Sequence, residues 1–331
     1  MEEFKGYIPD NDSQVLKLGD MRLYSFLMML GMLCAILTVF WFWRREKYKF
    51  ELFVTVVIIT LPTSILGARL FFIFERMSVG DWIFLKSNWY KIWEGGLSIQ
   101  GGVVVSAICD LIFLSFKRDL VDLKKCFSII LPTVFIGQAI GRWGNFANHE
   151  VYGKVVDAND WSIAFLPSFI KEQMYIFAPA NGSAESISAY RAPLFFYESV
   201  ANLLGYVVLV WVLNKWNWLR PGTTGGLYWV YYGTVRFSME NLREESFTFY
   251  NVLSIIYIVV GVLLVIWFNF TRNTRYTVYK VPNFENPKWA KIFYFIVWED
   301  SIHYINRRNQ EKQRMKILKE KQNNVQNIGV N

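Results

Sequence analysis

Two long stretches, Leu23–Trp43 and Tyr250–Phe270, contain no charged side chain. A bilayer core about 30 Å thick is crossed by roughly 20 apolar residues of helix, so both satisfy the requirement for spanning. Only a helix or a closed barrel satisfies its backbone polar groups inside lipid, and runs this apolar, without period-two alternation, read as helices. The same test yields five further spans: Leu52–Phe74, Leu97–Phe116, Phe127–Asn148, Ala192–Leu213 and Gly225–Glu240. The expected fold class is therefore an all-α integral membrane protein with about seven transmembrane helices. Composition agrees, with 53% hydrophobic, 18% aromatic and only 19% charged residues excluding a disordered chain. Cys34, Cys109 and Cys126 lie in or beside apolar stretches without paired spacing, which argues against a disulfide framework or a zinc module.

Orientation follows from Lys and Arg in the connections, which accumulate on the cytoplasmic side. Arg44, Arg45, Lys47 and Lys49 fall after the first span, Lys117, Arg118, Lys124 and Lys125 after the third, Lys215 and Arg220 after the fifth, and twelve more after Phe270. The opposite connections are sparser in cations. The N-terminus is expected outside and the C-terminus in the cytoplasm. This divides the chain into an extracytoplasmic N-terminus (1–22), helices one to four (23–150), a small folded extracytoplasmic cap (151–191), helices five to seven (192–270) and a basic cytoplasmic tail (271–331). The acidic segment before Leu23 lacks the basic and apolar regions of a cleavable signal. Within the cap, 180–188 reads as its flexible part. In the tail, Trp289–Trp298 suits the membrane interface and Lys312–Lys321 a solvated helix or disorder, with no nucleic-acid partner expected.

The informative residues are charges where lipid should be. Arg69, Arg142 and Arg236 fall inside the spans, where each charge costs about 2.5–3.5 kcal/mol on insertion scales. Counting along each helix places these three and Glu198 toward the outer half. Glu240 ends the sixth span, Glu150 follows the fourth, and Tyr24 and Gln100 join the same layer. Asp110 alone sits in the inner half, without an evident partner. One Arg–Glu pair could merely hold a bundle together. Several arginines at headgroup depth suit a phosphate, which guanidinium groups grip with two parallel hydrogen bonds.

Four local patterns sharpen this reading. Gly95-Gly96-Leu97-Ser98-Ile99-Gln100-Gly101-Gly102 surrounds a span entrance with small residues, which permit either helix packing or anion-facing N–H groups. Gly141-Arg142-Trp143-Gly144-Asn145-Phe146-Ala147-Asn148-His149-Glu150 concentrates Arg, Asn, His and Glu at one helix end. Pro193 to Tyr197-Glu198 opens the fifth span. Tyr232, Arg236, Glu240 and Arg243 share one helical face, so Arg236 and Glu240 are expected to pair, leaving Arg243 at the outer surface.

With these residues the chain resembles the prolipoprotein diacylglyceryl transferase family, from about Tyr24 to Phe270. The run Gly141–Gly153 resembles the family signature, and Gly67-Ala68-Arg69, Gly95–Gly102, Pro193–Glu198 and Tyr232–Arg243 follow its other elements in order. The resemblance implies transfer of the sn-1,2-diacylglyceryl group from phosphatidylglycerol to the lipobox cysteine thiol of a prolipoprotein signal peptide. A thioether forms and glycerol 1-phosphate leaves, with no metal or organic cofactor. The implied partners are phosphatidylglycerol, lipobox signal peptides and membrane lipid, and the implied place is the bacterial cytoplasmic membrane with the site toward the outer leaflet.

By the same resemblance Arg142 and Arg236 would grip the headgroup and Asn145 would add hydrogen bonds. Glu150 and Glu240 would orient the arginines or handle the proton, Tyr24 would face the cavity, and Gly153 would allow close approach. Arg69, Gln100, Gly101, Tyr197, Glu198 and Tyr232 are further substrate-binding candidates. The chain departs from the family at Gln100, where many members carry His, and at His149, where Gly is usual. His149 is thus the only outer imidazole available to assist thiolate formation, the alternative being an interfacial residue at a helix end. Ala192 and Phe195 also replace polar residues common in the family. Two rival functions stay open at this point, a catalytically inactive phospholipid-binding scaffold and an anion transporter.

Overall fold

A computed structural model describes residues 6–79, 89, 90, 98–179, 185–244, 248–270, 278–282, 294–299 and 301–328. The chain divides into two compact units, Met1–Val39 with Phe127–Trp298, and Phe40–Cys126 with Glu299–Asn331. Its long helices are α1 (Leu23–Arg45), α2 (Phe50–Val79), α3 (Ile99–Phe116), α4 (Leu123–Ala147), α7 (Leu194–Tyr206), α8 (Thr223–Glu240), α9 (Thr248–Phe270) and α10 (Ser301–Ile328). Two short helices, α5 (Trp161–Ala164) and α6 (Ser168–Gln173), lie between α4 and α7. Among the described residues, five segments are long and apolar enough to cross a membrane: Leu23–Arg45, Phe50–Phe74, Leu123–Ala147, Leu194–Asn214 and Thr248–Phe270. Gly101–Phe116 is a shorter apolar helix. Helix α8 stands apart from these because Arg236, Glu240 and several glycines dilute its apolar content.

The expectation of an all-α chain needs correction. Residues 151–191 contain, besides α5 and α6, a three-stranded antiparallel sheet in the order β3 (Val155–Val156), β5 (Ser186–Arg191), β4 (Tyr175–Pro179). Strands β1 (Lys17–Leu18) and β2 (Met21–Arg22) form a hairpin before α1, and β6 (Val278–Pro282) pairs with β7 (Tyr294–Trp298) after α9. These strands are short, and their apolar residues interrupt rather than extend the helical pattern. The segment around α5, α6 and the sheet has its own core of Ile163, Leu166, Ile170, Met174, Ile176 and Ala178, closed by Phe146 of α4 and Phe195 of α7. Of the expected flexible stretch 180–188, residues 180–184 lie outside the described residues, and 186–188 are instead paired within β5. Of Trp289–Trp298, 289–293 lie outside the described residues and Tyr294–Trp298 is β7.

In the first unit, α1 lies along α4 through a seam of small residues. A Cβ on Gly31 would stand 3.0 Å from the Gly137 carbonyl, one on Gly141 would touch Met28 at 3.0 Å, and one on Gly144 would meet Tyr24 at 3.0 Å. Small residues at helical spacing let backbones approach where lipid supplies no hydrophobic drive. Pro132 inside α4 removes an N–H and frees the Ser128 carbonyl. Asn214 Nδ2 donates to that carbonyl at 2.5 Å and Thr224 Oγ1 at 3.3 Å, so the α7–α8 connection satisfies it. The helix after α7 widens to a π-helix over Val207–Asn214, which ends on the asparagine that caps the proline break.

In the second unit, α2 and α3 cross at Gly67 and Gly101, where a Cβ on Gly101 would run into the Gly67 carbonyl and Phe71. Asp110, without an evident partner in the sequence, accepts from Thr60 Oγ1 at 2.8 Å. Helix α10 belongs to this unit and begins where Ser301 N donates to Glu46 at 3.1 Å. Its residues 310–322 are exposed all round.

Candidate functional site

The C-terminal end of α4, the start of α7 and the end of α8 converge in the first unit. Arg142 sits one turn before the end of α4, and the Gly144–Tyr24 approach fixes the start of α1 beside it. Trp143, on the neighbouring face, donates from Nε1 to Ser199 Oγ at 3.1 Å, and that hydroxyl donates to the Ala139 carbonyl at 2.9 Å. Phe146 stacks on Phe195 with ring centroids 4.5 Å apart. The apolar members of the signature thus lock α4 to α7 and to the sheet-bearing segment, while its polar members project elsewhere.

One of those polar members, Arg142, begins a continuous chain of charge. Arg142 pairs with Glu198 of α7 and donates to Asn145 Oδ1 at 3.3 Å. Glu198 also receives Arg243 at 3.2 Å. Arg243 turns back toward Glu240 at 3.7 Å, and Glu240 pairs with Arg236 at 3.0 Å. Three guanidinium groups therefore share two carboxylates that are almost fully buried, at 4% and 0% side-chain exposure, while Arg142 retains 21% and Arg236 12%. This accessible, cation-rich face is what a phosphate would meet. The sequence reading pairs Arg236 with Glu240 and leaves Arg243 over; in the structure Arg243 joins the same network, with 17% of its side chain exposed. It lies just beyond α8, where the chain turns and Glu198 draws its side chain inward.

Glu150 stands apart from the guanidinium groups. Asn148 Nδ2 donates to it at 3.2 Å and Asn145 Nδ2 at 3.5 Å. Burial pushes the Glu150 carboxyl above its ordinary range, against the pull of those two amides. His149 and Val151 on either side both take left-handed backbone, at φ 55° and 56°. For a β-branched valine that conformation is rare and costs on the order of 1–3 kcal/mol, so the surrounding fold holds this turn against strain. His149 itself is 2% exposed. Its ring stacks on Tyr7 at 4.3 Å, and Nε2 meets Gln173 Oε1 at 2.6 Å, whose Nε2 donates to the Tyr7 hydroxyl at 2.8 Å. Burial holds the imidazole below its usual pKa, with the Gln173 contact opposing.

Gly153 lies where three chain segments touch. Its N–H donates to the Ala192 carbonyl at 2.9 Å, it forms an isolated bridge with Arg243, and Lys154 N donates to the Leu242 carbonyl at 3.1 Å. A Cβ there would stand 2.8 Å from the Ala192 side chain and 3.0 Å from the Leu242 carbonyl, so only glycine fits without displacement.

The remaining candidates are more dispersed. Tyr197 donates through its hydroxyl to the Ser162 carbonyl of α5 at 2.8 Å. Tyr232 stacks with Tyr228 at 5.9 Å and packs near Tyr257 at 5.7 Å, below Arg236, whose guanidinium lies over Tyr250 at 5.0 Å. Arg69, Gln100 and Gly101 belong to the other unit. There Arg69 is buried and donates from Nε to the Trp89 carbonyl at 2.8 Å, and Gly101 serves the α2–α3 crossing. The Gln100 side chain, with Gly95 and Gly96, lies outside the described residues. Beside Trp143 and Phe146 is a largely apolar cavity of about 400 Å³, also lined by Leu16, Leu23, Leu27, Phe169 and Gln173. Sequence reasoning missed Asn148 and the inward turn of Arg243. Asn148 lay within the signature and could have been weighed with Asn145.

Known proteins resemble this chain over most of its length. The family model described as Prolipoprotein diacylglyceryl transferase matches residues 13–267. A phosphatidylglycerol–prolipoprotein diacylglyceryl transferase of Mycoplasmopsis pulmonis (strain UAB CTIP) is 48% identical over 274 residues, covering 82% of this chain and 84% of its own. One of the same name from Streptococcus pneumoniae (strain Taiwan19F-14) is 33% identical over 285 residues, covering 83% and 99%. Another, from strain ATCC 700669 / Spain 23F-1, is 34% identical over 268 residues, covering 78% and 94%.

Proposed function

The chain belongs to the prolipoprotein diacylglyceryl transferase family, and from that premise we propose that the Arg142–Glu198–Arg243–Glu240–Arg236 network is its phospholipid headgroup site. The protein carries out the family's reaction, moving a diacylglyceryl group from phosphatidylglycerol to a prolipoprotein, and is a membrane protein of mostly helical fold. The observation that carries the site assignment is the surplus of guanidinium over carboxylate in one partly open cluster, with the carboxylates sealed behind it.

The reaction joins the lipobox cysteine sulfur to the phosphate-bearing carbon of the diacylated glycerol, not of the headgroup glycerol. As the S–C bond forms, the C–O bond to phosphate breaks and its electron pair leaves with glycerol 1-phosphate. Charge develops on that phosphate oxygen, and preorganised guanidinium groups stabilise it without reorganising. Arg142 and Arg236 bind the phosphate, Asn145 positions Arg142, and Glu198 and Glu240 hold the guanidinium forks in register. A free thiol of pKa near 8.5 is mostly protonated at neutral pH, so a base helps. Glu150 is that proton acceptor: it lies outside the ion-pair network, and burial raises its basicity toward the thiol's. His149 acts as an anchor of the turn, since Tyr7 and Gln173 already engage its ring. Tyr24 lines the site beside Gly144, and Gly153, Tyr197 and Tyr232 shape its walls. Arg69, Gln100 and Gly101 are kept as further substrate contacts on the strength of the family motifs alone.

The topology consistent with the cation distribution is seven spans, N-terminus outside and basic tail inside, with the site open to the outer leaflet of the bacterial cytoplasmic membrane. Residues 151–191 then form the extracytoplasmic cap. The test is to incubate the purified protein with phosphatidylglycerol and a lipobox peptide and to weigh the peptide. A diacylglyceryl mass gain that needs the peptide cysteine and releases glycerol phosphate is expected. Phospholipid binding without any mass gain would overturn the assignment in favour of a noncatalytic lipid scaffold.

A further inference from the structure

Arg243 owes its inward turn to the segment that carries it. That segment, Leu242–Glu244, is attached at every residue to the sheet-bearing segment 151–191. Leu242 accepts from Lys154 N at 3.1 Å, and Arg243 bridges Gly153. Glu244 receives Arg191 at 3.1 Å, in a pair whose side chains are 0% and 6% exposed. Arg191 closes strand β5, and its other amino group donates to the Ala178 and Pro179 carbonyls at 2.7 and 3.1 Å at the end of β4. Its guanidinium lies 5.3 Å from the Tyr152 ring. Arg191 is therefore bolted to the sheet by main-chain acceptors, and Glu244 is the side chain it holds. One residue back, the Arg243 guanidinium spans Glu198 and Glu240, the two carboxylates that set Arg142 and Arg236.

We propose that the buried Arg191–Glu244 pair is a positioning device for the transfer reaction: it fixes the backbone of Arg243, and through Arg243 the carboxylates that aim the two phosphate-binding arginines. The proposal rests on the headgroup assignment made above. It makes 151–191 more than a cover, because the geometry of the cationic cluster depends on the reach of the Arg191–Glu244 side-chain contact from that segment. Neither partner touches substrate.

Reach and charge can be separated experimentally. Glu244→Asp keeps the charge and shortens the reach by one methylene, so the Arg243 backbone must follow. Glu244→Gln keeps the reach and an acceptor oxygen but drops the charge. If the pair positions Arg243, kcat/KM for phosphatidylglycerol in the folded Asp variant falls about tenfold with KM raised, as small misplacements in a preorganised site do. The Gln variant then stays within about twofold in kcat/KM. A role confined to holding the fold together ranks the variants by stability instead, with Gln the worse, since Gln leaves the Arg191 charge buried without its counterion. That role shows as lost thermal stability in Gln, with wild-type kcat/KM per folded molecule in both. Such a ranking overturns the proposal.

Should either single variant fail to fold, Arg191→Met/Glu244→Met removes both charges together and orphans neither. A raised KM in the folded double variant supports positioning, and a wild-type KM contradicts it. Wild type and Arg142→Ala run in the same assay. Absence of transfer by wild type defeats the functional reading and this one with it, whereas normal wild-type transfer beside an unaffected Glu244→Asp defeats the positioning claim alone.

Discussion

Two buried ionic clusters can be set side by side. Around Glu46, Lys125 approaches at 3.4 Å and Ser301 N donates at 3.1 Å, with side chains 6% and 2% exposed for the lysine and glutamate. Around Glu198 and Glu240, three arginines meet two carboxylates, and all three arginines keep measurable exposure. The Glu46 cluster is closed and joins the turn after α1 and the first turn of α4 to the start of α10. The second retains cationic surface that water or a ligand can reach. The Glu46–Lys125 pair, balanced and sealed, serves architecture, at a desolvation cost that its attraction roughly offsets. A cluster left cation-rich and partly open retains field for an anion.

The two clusters should respond differently to the loss of a cation. The largest expected effect is Arg142→Ala, which removes a guanidinium from the reacting phosphate and lowers turnover by about 10²–10³, with a soluble, monodisperse protein in detergent. Next, Lys125→Met leaves the buried Glu46 without its lysine and destabilises by about 3–5 kcal/mol in detergent unfolding. Turnover per folded molecule should stay near that of wild type. If Lys125→Met were instead inactive yet stable, the architectural reading of that cluster would fail.

A smaller effect is expected for Arg236→Lys. It keeps the charge on Glu240 but loses the planar fork, and kcat/KM for phosphatidylglycerol should drop about tenfold. A wild-type value would show that Arg236 supplies only charge. The smallest concerns His149. Burial keeps its folded pKa below the ordinary value of about 6.5, so the unfolded chain takes up the proton first. The stability linked to it is complete above about pH 6.5 and is lost as pH falls toward the folded pKa, by less than about 1.4 kcal/mol per pH unit. His149→Asn should flatten that slope in melting curves from pH 7 to 5 and leave turnover within about twofold. A large turnover loss confined to low pH would make the imidazole a participant in proton transfer.

What could be read in the residues, and what could not, divides along similar lines. Charge-free runs such as Tyr250–Phe270 announce their helices because the bilayer test depends only on local composition. The i, i+4 spacing of Arg236 and Glu240 likewise puts that pair on one helical face by periodicity alone. The inward turn of Arg243 was illegible, since it depends on a chain reversal held by Gly153, Lys154 and Arg191 from another part of the sequence. The sheet in 151–191 escaped for a related reason: β3 is two residues long, and its pairing is set across the chain rather than by its own pattern. Pro132 could be seen as a break in α4, but the Asn214 and Thr224 groups that donate to the freed carbonyl could not. His149 looked like the spare base because it was the lone outer imidazole. Its stacking on Tyr7 and contact with Gln173 are tertiary facts that redirect that reading toward packing.

The central claim is that the cation-rich cluster binds the phospholipid phosphate. Native mass spectrometry of the purified protein, titrated with phosphatidylglycerol and with phosphatidylcholine, tests it most directly. The account predicts preferential retention of phosphatidylglycerol by wild type and by Lys125→Met, and loss of that preference in Arg142→Ala/Arg236→Ala. Equal retention of phosphatidylglycerol by the double arginine variant and wild type would contradict it.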